Sequence, residues 1–338
     1  MEDKSIDISK YLLHTSQDDE DSTSIQADLY SISFNERDTS HLKLITDLSC
    51  AETSKELQIK ISNETGPLQI HSLFLNLKGA YANLIYGKNS NYFISCLIRK
   101  LNTEEKIEIL NEIRTEIPKM SIHEYGSHPI QCFIENLSSN REISILLSSL
   151  SNKYKFVSIC NNSNGTHVIQ KMLANVTEKS RTPLNEQILG NMNMIINDMN
   201  GVCVVVKNIL HCEDIAMLNR IVRVISNNLI MYSNNKYSNY AVQAMIRKLE
   251  SNINLFEVMK QKVIFNFCEL SVNQYGNYIV KMILNYVDNS VKQKVFEHLN
   301  MKGFIIPMYN NQFSKRIVFK LLKGFDTKKK KNTIFIYQ

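Results

Sequence analysis

Asn239, Tyr240 and Gln243, within the string NKYSNYAVQ, form a compact chemical set. On a helix the first and last of them lie one turn apart on one face, with the tyrosine beside them. A ring flanked by two amides suits a flat ligand rich in hydrogen-bonding groups. The ring stacks on its face and the amides meet its edge. A single set would mean little, because asparagine at a helix start often caps locally and tyrosine often packs in cores. This set recurs. Asn277, Tyr278 and Lys281 repeat it in NQYGNYIVK, Ser127, His128 and Gln131 in HEYGSHPIQ, and Thr166, His167 and Gln170 in NSNGTHVIQ. Asn91 and Tyr92 keep two members with Ser95 in third place, and Arg316 supplies a guanidinium plane in FSKRIV. A cap explains one asparagine, but not a flat residue and a polar partner together in several copies.

The elements that position these residues follow from their register. Asn91, Ser127, Thr166, Val202, Asn239, Asn277 and Lys315 are separated by 36, 39, 36, 37, 38 and 38 residues, and Ser54, with Lys55 and Gln58, extends the series backwards. Units at a near-constant period, each burying its face only against neighbours, predict a solenoid. Stretches such as QILGNMNMII and LNRIVRVI space apolar residues three and four apart, so the units are helical and the fold is all-α. An amphipathic segment leads into each box and a second helix follows from it. The small residue before the box (Gly126, Gly165, Gly201, Ser238, Gly276 or Ser314) suits a tight helix entry, and Pro129 fits a first turn. The third and fourth box residues, such as Val168-Ile169 and Ile279-Val280, are expected in the core. Tyr125, Tyr237 and Tyr275 are expected to pack between repeats. Val202, Cys203 and Val206 break the polar pattern, so that unit is expected to pack or to skip a ligand.

Charge separates the chain into parts. Residues 1–40 hold ten acids and three bases, a net −7 that includes QDDED, whereas the rest holds 36 bases and 23 acids, a net +13. We read 1–40 as a disordered acidic arm, 41–325 as the helical repeat domain and 326–338, with DTKKKKN, as a basic tail. The basic body suggests an anionic partner such as nucleic acid. Seven scattered cysteines with no CxxC pair point to free thiols in a reducing compartment, with no metal site. The sequence carries no signal segment and no run of 18 apolar residues, so an intracellular protein away from membranes is expected. GxGxxG, P-loop, HExxH and GxSxG motifs are absent, and His211-Cys212-Glu213-Asp214 reads as a surface turn, so neither catalysis nor a cofactor is expected.

YGNYIVKMIL, GTHVIQKML, YSNYAVQAMI and YGSHPIQCFIENL resemble the boxes of the Pumilio (PUF) family of RNA-binding proteins, and the period matches too. The likeness covers roughly residues 41–325, with FSKRIVFKLL similar to a closing repeat. It implies a right-handed α-solenoid crescent of about eight repeats that binds single-stranded RNA, acts on messenger 3′ untranslated regions and recruits protein effectors. It also implies a monomer in the cytoplasm. Asn239 and Gln243 match the family's uracil-reading pair with Tyr240 stacking, and Ser127 and Gln131 resemble an adenine-reading pair beside His128. Thr166, His167 and Gln170 keep the layout, Asn277 and Tyr278 keep half a uracil site, and Lys281 in place of glutamine could reach a phosphate. No unit pairs serine with glutamate, the family's guanine reader, so an altered base preference is expected instead of a UGU-centred one. Two alternatives stay open. One is a diverged Pumilio-like factor of ribosomal RNA maturation, nuclear or nucleolar, binding with little sequence preference. The other is a protein-interaction solenoid of the HEAT or armadillo kind.

Overall fold

The computed structural model describes residues 41–63 and 66–322. The acidic arm, residues 323–325 and the basic tail lie outside them. Every regular element among the described residues is helical. From residue 67 onward each repeat has three parts, a long helix, a short helix and a helix that carries the box. Ile215–Asn227, Leu229–Ser233 and Asn239–Lys248 form one such set, and Thr103–Glu112, Ile117–Ile122 and Ser127–Glu135 another. The expected two segments per unit are therefore three, because the leading one breaks. In QILGNMNMII the break falls after Gly190, between Glu178–Gly190 and Met192–Ile195. Two other breaks use glycine at positive φ, Gly79 at 82° and Gly303 at 72°, which a residue with a Cβ adopts only with strain.

Side-chain caps start the long helices. Asn102 and Ser139 accept from the Glu105 and Glu142 amides, while those glutamates reach back to the cap amides. Asp214 caps Ile215–Asn227 through the amides of Ala216 and Met217, so the polar cluster at 211–214 ends in a cap, with Glu213 and Asp214 exposed and Cys212 buried. Glu142 does more than cap. It is fully buried, accepts from the Ser138 and Ser139 amides at 3.0 and 2.7 Å, and pairs at 3.0 Å with buried Lys106 of the preceding repeat. Burial pushes its carboxyl up, but the bonds from Ser138, Lys106 and Ser139 outweigh burial and hold it below the usual carboxylate range.

The chain divides between residues 183 and 184, inside the helix Glu178–Gly190, into two compact units. In the first, the box helices Ala51–Asn63, Ser90–Ile98, Ser127–Glu135 and Gly165–Asn175 pack in sequence, each on the next. In the second, Gly201–His211, Asn239–Lys248, Gly276–Ile283 and Lys315–Leu322 do the same. Each unit thus aligns four boxes on one layer.

Candidate nucleic-acid interface

A device not anticipated from the sequence fixes the start of each box helix. Four residues before the box's first position stands His123, Asn162, Asp198, Asn235, Asn273 or Asn311. Its side chain folds forward over the turn. Asn235 Oδ1 accepts from the amides of Tyr237 and Ser238 at 2.8 and 3.2 Å, and Asn273 Oδ1 from Tyr275 and Gly276 at 2.8 and 3.1 Å. Asn162, Asp198, Asn311 and the ring of His123 accept in the same way. These are Asx-type turns, which satisfy amides that a helix start leaves orphaned. The signal was visible in the leading Asn or His of the repeated strings.

The small residue answers to a carbonyl six positions earlier. Where it is serine it donates to that carbonyl: Ser90 to Leu84 at 2.7 Å, Ser238 to Tyr232 at 2.8 Å and Ser314 to Met308 at 2.7 Å. At Gly165 and Gly276 the same oxygen leaves no room, because a Cβ would lie 2.4 Å from the Ile159 carbonyl oxygen and 2.7 Å from that of Leu270.

With the entry fixed, exposure follows the position in the box. The first box residue turns inward, and Ser54, Asn91, Ser127, Thr166, Asn239 and Asn277 are all buried. The second faces solvent, with Tyr92, Tyr240 and Tyr278 at 55, 60 and 53% exposed and His128, His167 and Arg316 exposed as well. The third and fourth are core, and the fifth is half-buried in Gln58, Gln131, Gln170, Gln243 and Lys281. The picture of two polar residues both displayed outward is thereby corrected. The first residue is an internal anchor and the fifth is its outward extension.

Asn239 shows why. Its Nδ2 donates to the carbonyls of Asn235 and Lys236 at 2.9 and 3.0 Å, and its Oδ1 accepts from Gln243 Nε2 at 2.8 Å. Asn277 makes the matching pair of bonds to Asn273 and Gln274, and its Oδ1 accepts from the Lys281 ammonium. Gln170 donates to Thr166 Oγ1 at 3.1 Å, and Gln58 to Ser54 Oγ at 3.3 Å. Asn91 also donates to two carbonyls, of Gly87 and Lys88, but Ser95 is too short to close the pattern. Ser95 donates instead to the Asn91 carbonyl, and Asn91 Oδ1 has no donor among the described residues.

The flat residues form the exposed face of the boxes. The rings of Tyr92 and His128, one repeat apart, lie 6.4 Å apart at 20° to one another. This distance runs between ring centres, and a centre-to-centre spacing near twice the ~3.4 Å separation of stacked bases is the spacing of two rings that flank a third. Tyr125, expected between repeats, meets His123 edge-on at 5.8 Å, and His123 meets Tyr86 of the preceding repeat at 4.8 Å. Tyr237 lies under the Lys236 ammonium at 4.5 Å, within its own repeat.

Two repeats depart. At 202–206, Val202 is buried, Cys203 is exposed in the flat position and Val206 is half-buried, so no polar group marks the site. At the last repeat Lys315 is exposed where the others bury their anchor, and exposed Phe319 takes the fifth position. All seven cysteines are free thiols. Among the described residues no cluster of metal-ligating side chains forms, and no helix is long and apolar enough to cross a membrane.

A family profile described as "NOP9-like PUF repeat domain" matches residues 69–303. The chain belongs to the PUF-repeat family. Its PUF repeats are 23% identical over 267 residues to Pumilio homolog 12 of Arabidopsis thaliana, covering 78% of this chain and 44% of that protein. They are 23% identical over 255 residues to Suppressor protein MPT5 of Saccharomyces cerevisiae, covering 73% and 29%. The chain thus spans less than half the length of these two relatives. Among solved structures, the RNA-binding domain of yeast Puf5p bound to SMX2 RNA superposes with a TM-score of 0.73 at 18% identity, covering 82% of each chain. The Puf4 RNA-binding domain bound to an HO endonuclease RNA 3′ UTR recognition sequence gives 0.70 at 18% identity, covering 82% of this chain and 85% of that one. The shared fold is that of PUF repeats.

Proposed function

We propose that this chain binds single-stranded RNA, with bases seated between the flat residues of successive repeats and their edges met by the fifth residues. The near-parallel pair of exposed rings, Tyr92 and His128, on successive repeats carries this reading. Gln131, Gln170 and Gln243 would read edges, each held by a buried anchor where a bond is made, and Lys281 would present charge. We read the chain as a binding scaffold without catalysis, a post-transcriptional regulator in the cytoplasm that acts on messenger 3′ untranslated regions through protein effectors. The Puf4 relative bound to a 3′ UTR sequence supports that assignment. A second reading, ribosomal RNA maturation in the nucleolus, is favoured by the NOP9-like profile and by the repeats at 202 and 315 that lack an edge-reading pair.

Selection from a random single-stranded RNA pool tests the core of the proposal, run with the chain and with its Tyr240→Ala/Gln243→Ala double variant. Enrichment of a motif with uracil at a position that the variant no longer selects is the expected result. Absence of any bound RNA would sink the proposal. Crosslinking in cells, scored as messenger 3′ ends against ribosomal RNA, separates the two readings.

A further inference from the structure

Beyond Tyr278, the surface changes character. Two clefts of about 360 and 480 Å³ open beside the last boxes, and both are lined by Asn285 and Lys320. Arg247 and Lys281 line the smaller, and Lys292 and Arg316 the larger. Among the described residues that line them Glu250 is the single acid, and its carboxylate accepts from the Tyr286 hydroxyl. Five cations therefore converge on one region with one carboxylate among them.

Their placement is built. The Lys281 ammonium donates to Asn277 Oδ1, the seat that the Gln243 amide takes in the preceding repeat, and stands 5.3 Å over the Tyr278 ring. Lys320 reaches back one repeat to donate to the Lys281 carbonyl at 2.9 Å and to Asn285 Oδ1, which fixes its ammonium at the wall the two clefts share. Burial, and after it the charge of Arg316, hold Lys281 below its ordinary pKa. Like charges gathered in a half-buried site repel one another, and a bound anion relieves that cost. An uncharged base edge would not.

We propose that these clefts form a phosphate-binding site, in which Lys281, Lys320, Arg316 and Lys292 grip an RNA phosphate in place of reading a base. The site rests on the RNA-binding reading above and extends it: the repeats at 277 and 315 anchor the strand by charge, whereas earlier repeats read it. The phosphate is either one along the backbone or one at a strand end.

Binding of decauridylate with hydroxyl ends, a 5′-phosphate or a 3′-phosphate, measured across salt, tests this with the full chain and the variants K281Q/K320Q and K292Q. K292Q alters a side chain that takes no part in the bonds holding Lys281 and Lys320, so it guards against a folding defect in the double variant. Saturable binding of pyrophosphate, followed by ³¹P NMR, provides an arm independent of RNA. Each phosphate that a variant no longer neutralises should lower the salt slope by about 0.7 for a single strand. Equal weakening on all three RNAs with a lower slope supports a backbone phosphate. A preference for one phosphorylated end that the variants lose supports a terminal phosphate. Unchanged affinity and slope in both variants, while Tyr240→Ala/Gln243→Ala loses RNA, overturns the phosphate site and leaves the RNA reading standing. If no RNA binds, pyrophosphate binding that the variants lose keeps the anion site and removes the RNA reading, and absence of saturable pyrophosphate binding overturns both.

Discussion

The repeats beginning at Asn239 and at Val202 are neighbours in one compact unit, and they share a scaffold without sharing a surface. Both open with an Asx-type turn, from Asn235 in one and Asp198 in the other. Both bury the small residue, the anchor position and the two residues that follow the flat one. Yet one displays Tyr240 and Gln243 over an amide anchor, and the other displays Cys203 and Val206 over a valine. Helix entry and core are therefore specified by residues other than those displayed at the surface. A repeat can lack the ring and the amide pair and still stack.

The separation can be broken most strongly at the scaffold. Ser238→Val adds bulk against the Tyr232 carbonyl and removes the 2.8 Å bond to it, so a loss of about 2–3 kcal/mol is expected in urea denaturation, whereas Ser238→Gly, which copies Gly201, should cost about 1 kcal/mol. Removing the turn acceptor, by Asn235→Ala or Asp198→Ala, is expected to cost about 1–2 kcal/mol in either repeat, since the turn is common to both. At the surface the two repeats should part. Tyr240→Ala/Gln243→Ala is expected to weaken RNA binding by about 1–3 kcal/mol with the melting temperature nearly unchanged, while Cys203→Ala should shift neither by more than about 0.5 kcal/mol. The comparison sharpens by reversal. Val202→Asn/Cys203→Tyr/Val206→Gln should add about 1 kcal/mol of RNA affinity, because the carbonyls that seat Asn239 have counterparts four and three residues before position 202. No gain in a binding titration would show that the backbone of that repeat, beyond its side chains, is unsuited to a base.

Much of this was legible in the sequence because it recurs. The period, the helical class, the exposed rings of Tyr92, Tyr240 and Tyr278 and the core pairs such as Ile279-Val280 all follow from comparing one copy with the next. The break between long and short helices was not legible at Asn191, where apolar spacing continues through the turn. Nor was the inward turn of Asn91, Asn239 and Asn277. Asparagine at a helix start can face outward or inward, and the choice depends on carbonyls that a sequence does not place. The Lys106–Glu142 pair was hidden for a similar reason: both residue types are usually solvated, and only packing across a whole period buries them together. The capping residues at 162, 198, 235, 273 and 311 were in plain view, but their side chains serve the backbone alone, so a search for ligand chemistry passes over them.

The bonds that hold the boxes also bear on how the chain reaches its native state. The Asx-type turns span two or three residues, the serine bonds six, and the link from Lys106 to Glu142 36. None of these bonds requires distant parts of the chain to meet, so loop-closure entropy stays small and contact order is low. Structure can begin at any well-capped repeat and spread to its neighbours. Growth during synthesis then needs little more than one period of emerged chain for each added repeat, and a repeat without the ring and the amides, like the one at 202, still relays that growth.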